Sequence, residues 1–158
     1  MLAWAGKILK VNLTNQELQE ETYPIELGKK YLGARGVNAK LLWDQIKEPN
    51  IDPLSPENPL IIGTGTLTGT SAPCNGRTTI TCKSPATNLY LKTNMWGHWG
   101  AELKFAGYDH LIITGASDKP VYLLIKDNEI DVKDAQNYGA LMSGKPQRGL
   151  KESMMIWT

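Results

Sequence analysis

The chain has 158 residues, enough for one domain with a sizeable core, and its net charge of +1 comes from 17 basic and 16 acidic residues interspersed along it. A charge so close to zero creates no long-range field, which excludes a nucleic-acid or membrane binder held by charge alone. Hydrophobic residues make up 41% and charged residues 21% of the chain, which is typical of a globular protein and excludes a disordered one.

The cysteines and the N-terminal residues exclude further classes of protein. The two cysteines, Cys74 and Cys82, form no C-x-x-C pair, so the chain by itself can build neither a structural zinc site nor an iron–sulfur cluster. The N-terminal residues lack a basic region followed by a long apolar run, and no stretch approaches the roughly 18 apolar residues of a membrane helix. We therefore expect a cytoplasmic protein with no membrane or nucleic-acid partner.

The first third of the chain predicts a β-hairpin followed by two helices. Alternating polar and apolar residues predict the two strands, and apolar residues at helical spacing predict the helices, the first of which is broken at Gly33 to Gly36. The predicted segments are strands Ile8–Leu13 and Leu18–Thr22, a helix through Leu27, Tyr31 and Leu32, and a helix Val37–Ile46.

The rest of the chain predicts short strands separated by Gly and Pro, with one further helix that ends at Gly107. The last two strands flank Asp127-Asn128 and predict a second hairpin. These segments are strands Leu60–Gly63, Thr78–Cys82, Asn88–Lys92 and His110–Thr114, helix Trp99–Ala106, and strands Val121–Lys126 and Glu129–Val132. The pattern predicts an α+β fold weighted towards β, in one compact domain.

Residues 64–77, TGTLTGTSAPCNGR, form the first candidate site. The glycines around it are spaced G-x-G-x-x-x-G with no G-K-[ST], which excludes the dinucleotide and P-loop motifs. Arg77 offers a planar fork for bidentate contacts with a phosphate or carboxylate, although an ordinary surface or ion-paired arginine is the commoner case. Cys74 is interpreted as a buried, inert thiol, because nothing near it in sequence would lower its pKa.

Residues 93–100, TNMWGHWG, form the second candidate site. An amide at Asn94 and the indole of Trp96 suit a flat heteroaromatic ligand, whose ring edges need donors and acceptors; packing of the tryptophans in the core is an equal alternative. His98 and His110 have no Cys or carboxylate partner at catalytic spacing, so no nucleophile–base pair is found. The residues alone indicate an α+β domain that serves as a ligand platform.

Several strings, in one order and at familiar spacing, carry a family resemblance: WAGKILKVNLT, YLGARGVNAKLL, DPLSPENPLI, GTLTGTSAPCNGR, TCKSP, GAELKFAGYD and KPVYLLIKD. From about Trp4 to Tyr138 the chain resembles the N-terminal domain of the tungsten-containing aldehyde:ferredoxin oxidoreductase family. The resemblance implies two packed β-sheets with accessory helices, which form a base for a bis-pterin cofactor that holds tungsten or molybdenum.

The resemblance also implies which residues contact the cofactor. Arg77 matches the family's arginine between the pterins and a [4Fe–4S] cluster, and Asn94 matches an asparagine that contacts a pterin. Trp96 stands where the family usually has a glycine, which implies a modified pocket, and Gly97 remains for close approach of the backbone. The implied cofactor-binding residues are therefore Arg77, Asn94, Trp96 and Gly97, with no catalytic residue and no metal ligand in this chain.

In the family, an aldehyde is oxidised to a carboxylic acid, and electrons pass through the [4Fe–4S] cluster to ferredoxin. The cluster's cysteine ligands belong to later domains, so we expect this chain to be inactive without the remaining domains or subunits. A homodimer is common in the family. The alternatives are a stand-alone binding or assembly module without catalysis, and a subunit completed by a separate polypeptide.

The last 20 residues differ from the rest. Residues 139–158 contain no Asp, one Glu and three of the chain's five Met. A shift of one nucleotide near codon 139 allows codons that spell family-like residues, which suggests that the tail is out of frame. We therefore expect a cofactor-base domain over residues 1–138 and an atypical tail over residues 139–158.

Overall fold

The computed structural model describes residues 3–126, 129–136 and 153–157, the last of these by its backbone alone. The chain divides into two compact units, Met1–Ala116 and Ser117–Thr158. The predicted turn at Asp127-Asn128 and the predicted boundary at residue 138 lie outside the described residues. The same holds for the atypical tail, apart from the backbone of residues 153–157.

The first unit contains a six-stranded mixed sheet and three helices. The sheet order is β2-β1-β6-β3-β4-β5, in which β1 and β6 are parallel and all other neighbours are antiparallel. The strands are β1 Lys7–Asn12, β2 Glu17–Thr22, β3 Leu60–Thr64, β4 Thr78–Lys83, β5 Tyr90–Met95 and β6 Tyr108–Thr114. The helices are α1 Ile25–Tyr31, α2 Ala34–Gln45 and α3 Trp99–Phe105.

Strand β6 lies in the interior of this sheet, between β1 and β3, and both of its faces are covered. Its first six residues, Tyr108 to Ile113, are all buried, whereas edge strand β2 is mostly exposed. A run of apolar residues without alternation is typical of a strand buried on both faces. The predicted short buried strand at His110–Thr114 is therefore confirmed, with two more residues at its start.

The helices α2 and α3 pack against the sheet and bury the core. Helix α2 packs against β3 and β4, and α3 packs against β3 and β6. Leu103 of α3 is buried. The apolar core beside α2 consists of Ile8, Tyr23, Val37, Leu42, Ile61 and Ile112.

The second unit is a three-stranded antiparallel sheet with the order β8-β7-β9. Its strands are β7 Val121–Lys126, β8 Glu129–Asp134 and β9 Ser153–Trp157. Val121, Leu123 and Ile125 are buried and alternate with less buried residues, which gives β7 one covered face. Strand β9 is a strand that the sequence did not predict.

The predicted α+β class, mostly β with two sheets and accessory helices, is confirmed. Most boundaries differ from the predictions by one or two residues, and two differ by three. Helix α2 begins at Ala34 instead of Val37, and β5 runs over Tyr90–Met95 instead of Asn88–Lys92. The second shift arises because Ser84 N–H donates to Leu89 O over 2.8 Å, which assigns Asn88 to the turn.

Among the residues that the structure describes, no helix combines the length and the apolar character needed to cross a membrane.

Candidate functional site

The small and hydroxyl residues of the loop between β3 and β4 bond to one another. The Thr68 hydroxyl donates to Asn75 O over 2.9 Å and accepts the Gly65 N–H over 3.1 Å. The Asn75 amide donates to Thr70 O and Ala72 O over 2.8 and 2.6 Å. The loop backbone therefore forms hydrogen bonds with side chains instead of with a neighbouring strand. These bonds give the loop a defined conformation.

A buried ion pair anchors this loop to the rest of the unit. Lys104 Nζ donates to Thr66 O over 3.0 Å and to Ala3 O over 2.6 Å, and it lies 3.6 Å from Asp109 Oδ1. The two charged side chains are only 7% and 2% exposed. Burial lowers the pKa of Lys104, and the nearby Asp109 carboxylate partly offsets this effect.

The start of α2 lies directly against the loop. A Cβ atom placed on Gly33 would lie 3.3 Å from Thr66 N, so a larger residue there would push the helix and the loop apart. Between these two elements and the β4–β5 hairpin is an open cavity of about 380 Å³. Its lining consists of Gly33, Ala34, Arg35, Gly65, Thr66, Leu67, Thr68, Pro73, Cys74, Asn75, Arg77, Thr79, Lys92 and Asn94.

Cross-strand pairing orients the amide of Asn94 in this cavity. Thr79 in β4 is the register partner of Asn94 in β5, and the Thr79 hydroxyl donates to Asn94 Oδ1 over 3.1 Å. The Oδ1 atom of Asn94 is thus bonded to Thr79. Its Nδ2 group has no hydrogen-bond partner among the described residues. The amide can therefore donate two N–H groups to a ligand.

A fully buried polar network lies behind Thr79. Asn38 Nδ2 donates to Thr79 O over 3.0 Å, and Asn38 Oδ1 accepts the Nδ1–H of His110 over 2.9 Å. The His110 ring stacks on Tyr23 with centroids 5.5 Å apart, and its burial lowers the pKa of His110 to about 3. His110 is therefore a neutral core residue and not a ligand of the cavity.

This network needs a glycine beside it. Gly63 in β3 is the register partner of His110, and a Cβ atom there would lie 2.2 Å from Asn38 Oδ1 and 2.5 Å from His110 Nδ1. The glycine therefore makes room for a core hydrogen bond rather than for a phosphate.

Arg77, at the end of the loop, faces an aromatic ring. Its Cζ atom lies 5.2 Å from the centroid of the Trp96 ring, which is the geometry of a cation–π contact. Trp96 follows β5, precedes α3 and is 59% exposed. It therefore belongs to the surface beside the cavity and not to the core.

The structure brings three of the four residues that the resemblance implies to one place. Arg77 and Asn94 line the cavity, and Trp96 lies against Arg77. Gly97 is not part of the lining; its φ of +128° is a conformation that favours glycine. The predicted burial of Cys74 is wrong, because the residue is exposed in the loop.

Two basic residues that the sequence did not single out also line the cavity. Arg35 comes from the first turn of α2 and Lys92 from β5, and neither forms an ion pair within the described part of the chain. The lining contains no Asp or Glu. Arg35 could have been found from the sequence, because it lies in the YLGARGVNAKLL string that carries the family resemblance. Lys92 could not, because no local pattern distinguishes it from a solvent-exposed strand residue.

The donor set bears on what the cavity can hold. Guanidinium, ammonium and amide groups donate hydrogen bonds to anionic or electron-rich oxygen atoms. Within the described ranges, no group of three or more His, Cys, Asp or Glu side chains is arranged to bind a metal ion. These donors therefore fit an anionic or oxygen-rich organic ligand.

The fold agrees with the comparison with known proteins. The model of the aldehyde ferredoxin oxidoreductase N-terminal domain matches residues 8–155, and the chain belongs to that family. The match continues past Tyr138, where the resemblance in sequence was expected to stop.

Two relatives and one solved structure show the extent of the similarity. The chain is 46% identical over 154 residues to the tungsten-containing aldehyde ferredoxin oxidoreductase of Pyrococcus abyssi, which covers 98% of this chain and 25% of that protein. It is 48% identical over 132 residues to the enzyme of the same name from Pyrococcus furiosus, covering 84% and 22%. The solved active site complex BamBC of benzoyl coenzyme A reductase, with 1,5-dienoyl-CoA, matches with a TM-score of 0.83 and 40% identity.

The match covers most of this chain but only a small part of each of the other proteins. The solved structure is matched over 86% of this chain and 21% of the other chain. The chain thus spans about a quarter of the length of the relatives that it matches. These relatives are named as oxidoreductases, and this domain is one part of them.

Proposed function

We propose that this chain is the cofactor-binding N-terminal part of a tungsten or molybdenum bis-pterin oxidoreductase that oxidises aldehydes to carboxylic acids. Electrons then pass through a [4Fe–4S] cluster to ferredoxin, in a cytoplasmic enzyme whose other domains or subunits supply the cluster ligands. The observation that carries this proposal is that Arg77 and Asn94, 17 positions apart in sequence, line one cavity whose loop side consists mostly of small residues.

The donors of the cavity suit the organic part of such a cofactor. Arg77 would direct its planar fork at an oxygen or ring nitrogen of the cofactor, and Asn94 would donate its free amide N–H groups. The loop between β3 and β4 supplies a surface with few bulky side chains, on which a flat ring can lie. When bound, the metal and its dithiolene ligands supply the two-electron oxidation of the substrate.

Trp96 gives the proposed pocket a wall that the family's usual glycine does not. Its indole ring lies against the Arg77 guanidinium, so the wall and the main donor are held together. We propose that Gly97, beside it, allows close approach of the backbone to the cofactor. Both residues would bear on which substrates reach the metal.

The test uses the complete enzyme or co-purified assembly, isolated without oxygen from its native host. We expect tungsten or molybdenum and pterin in the wild-type protein. Arg77→Gln should lower the pterin content per protein several-fold, because a charge-assisted contact is lost. Arg77→Lys retains the charge but loses the fork, and should give an intermediate content. Lys40→Gln removes a charge from α2 outside the cavity and is the matched control.

Two results would contradict the proposal. An assembly without pterin and without either metal would favour a stand-alone binding module that lacks catalysis. An Arg77→Gln protein with the wild-type pterin content would remove Arg77 from the cofactor site. Co-purification with a separate cysteine-rich polypeptide would identify the chain as a subunit of a larger enzyme and would support the proposal.

A further inference from the structure

We propose that one water molecule is bound in the core of the first unit, where it forms hydrogen bonds with Tyr23 Oη, Asp109 Oδ1 and His110 Nε2. None of these residues lines the cavity described above, and the inference does not depend on the proposed function. The site lies next to the Lys104–Asp109 ion pair, so the water belongs to the anchor of the loop between β3 and β4.

The first argument is a group of buried polar atoms without hydrogen-bond partners. Among the residues that the structure describes, five buried side-chain atoms have no partner, and three of them belong to Tyr23, Asp109 and His110. Each of these residues is at most 1% exposed. Buried polar groups in folded proteins are bonded either to other protein groups or to ordered water. Three such atoms on residues that lie together therefore indicate one shared partner.

A β-bulge turns Asp109 towards this place. The pairing of β6 with β1 passes directly from Tyr108 to His110, so Asp109 is an extra residue in the strand. A bulge interrupts the regular alternation of side chains between the two faces of a sheet and can redirect one of them. The carboxylate of Asp109 and the ring of His110 therefore need not lie on opposite faces.

Backbone contacts and electrostatics place the other groups beside Asp109. The Gly6 N–H donates to Asp109 Oδ2 over 2.8 Å, and Gly6 O accepts the N–H of Tyr23 over 2.8 Å. Burial raises the pKa of Tyr23, and the Asp109 carboxylate raises it further. The Lys104 ammonium adds to the effect of burial that lowers the pKa of His110. The buried ion pair is therefore close to both rings.

The tautomer of His110 decides which atoms donate and which accept. Asn38 Nδ2 donates to Thr79 O, so Asn38 Oδ1 is the acceptor of the Nδ1–H of His110. The neutral imidazole has one N–H group, which leaves Nε2 as an acceptor. Asp109 Oδ1 is a second acceptor, and the Tyr23 hydroxyl is a donor. One water molecule can donate to both acceptors and accept from the hydroxyl, which gives the roughly three hydrogen bonds of a typical buried water.

A direct hydrogen bond does not satisfy all three atoms. The rings of Tyr23 and His110 are stacked, with an angle of 7° between their planes and centroids 5.5 Å apart. The tyrosine O–H lies in the plane of one ring and the Nε2 lone pair in the plane of the other, so the two do not point at each other. A bond from Tyr23 to Asp109 would still leave His110 Nε2 without a donor.

The surrounding charges select a neutral ligand. The ammonium of Lys104 disfavours a cation at this place, and the carboxylate of Asp109 disfavours an anion. The ligand must also donate and accept hydrogen bonds within a small volume. Water meets each of these conditions.

A crystal structure of the purified 158-residue chain tests the site directly. We expect an ordered water molecule about 2.7–3.2 Å from each of Tyr23 Oη, Asp109 Oδ1 and His110 Nε2. A map that resolves other buried waters but has no density at this place would overturn the proposal.

Tyr23→Phe gives opposite results for a bridged hydroxyl and for one without a partner. Phenylalanine keeps the stack on His110 but cannot donate to the water, so we expect the equilibrium constant for folding to fall about fivefold to tenfold. Removal of a hydroxyl that bonds to nothing would leave this constant unchanged or raise it, and would contradict the proposal. Tyr90→Phe is the matched control, because Tyr90 is 47% exposed, and should change the constant by less than about threefold.

NMR distinguishes a bridging water from a direct bond between Tyr23 and Asp109. A bound water should give nuclear Overhauser effects with the ring protons of His110 beside Nε2, in the wild type and in Tyr23→Phe. The variant lacks the hydroxyl proton, which exchanges with solvent and could relay such a signal. The nitrogen-15 shift of Nε2 should show an accepted hydrogen bond in both proteins. Effects that vanish in Tyr23→Phe, or an Nε2 shift typical of a nitrogen without a donor, would favour the direct bond and reject the water site.

Discussion

The Cζ atom of Arg77 lies 5.2 Å from the centroid of the Trp96 ring, so a cation–π contact joins the loop before β4 to the segment after β5. The two residues are 19 positions apart and meet because β4 and β5 form a hairpin whose open end carries both of them. The contact places an exposed indole ring beside the cavity and holds the guanidinium against it.

The Arg77–Trp96 contact should be measurable as a coupling energy. We expect a double-mutant cycle of Arg77→Gln and Trp96→Leu to give about 0.5–1 kcal/mol, because Trp96 is 59% exposed and an exposed cation–π pair is weak. Urea unfolding of the four proteins measures it. A coupling energy of zero within error would mean that the two side chains do not meet in solution.

Gly63 should tolerate no side chain. Gly63→Ala would place a Cβ atom 2.2 Å from Asn38 Oδ1 and 2.5 Å from His110 Nδ1, so we expect a loss of about 3 kcal/mol or more in the free energy of unfolding. Gly76→Ala is the control, because its Cβ atom would meet nothing closer than 3.6 Å and should change stability by about 0.5 kcal/mol or less. Equal losses in the two variants would contradict the packing described for Gly63.

The ion pair of Lys104 and Asp109 should matter far more than a surface pair. Lys104→Met leaves the buried Asp109 carboxylate without its cation and frees Thr66 O, so we expect a loss of about 3–5 kcal/mol. Lys29→Met breaks the exposed pair with Glu26, whose side chains are 62% and 82% exposed, and should cost about 1 kcal/mol or less. Chemical unfolding compares the two variants, and a loss below 1 kcal/mol for Lys104→Met would show that the loop has another anchor.

His110 should make the protein less stable in acid. Its pKa falls from the ordinary 6.5 to about 3 in the folded state, so the unfolded chain binds more protons between these pH values. The stability from neutral His110 is complete above pH 6.5 and is lost as the pH falls towards 3. Lys104, the neighbouring charge, lowers the pKa further.

A variant isolates this histidine from the carboxylates that also titrate in acid. His110→Phe keeps a ring against Tyr23 but cannot bind a proton. Between pH 4 and 6, the stability of the wild type should fall by up to roughly 1.4 kcal/mol per pH unit more than that of the variant. Unfolding free energies at several pH values measure the two slopes. Parallel slopes would show that His110 titrates near its ordinary pKa.

Much of the fold could be predicted from local patterns. The hairpin of β1 and β2, the three helices and the buried strand β6 all follow from periodicity, with errors of a few residues at their ends. The errors have local causes, such as the turn that displaces the start of β5 to Tyr90. Strand β9 was not predicted because it lies in the tail that was expected to be out of frame.

The candidate site was only partly predictable. Arg77 and Asn94 were singled out because a motif or a rare residue combination marks them. Arg35, Thr79 and Lys92 were not, because nothing within a few residues of each indicates what it will face. Cys74 was expected to be buried, but its loop bonds to itself and leaves the thiol at the surface.

The sequence by itself determined the α+β class, the order of most elements and the family, because these depend on periodicity, turn residues and extended motifs. Only the tertiary structure decided which charged side chains line the same cavity and which polar groups form hydrogen bonds with each other in the core. Asn38 Oδ1 and His110 Nδ1 form a hydrogen bond with each other beneath Thr79, whereas the Nδ2 group of Asn94 lies at the cavity. The physical reason is that hydrogen-bond partners are chosen across the sheet, by strand register between residues that lie far apart along the chain.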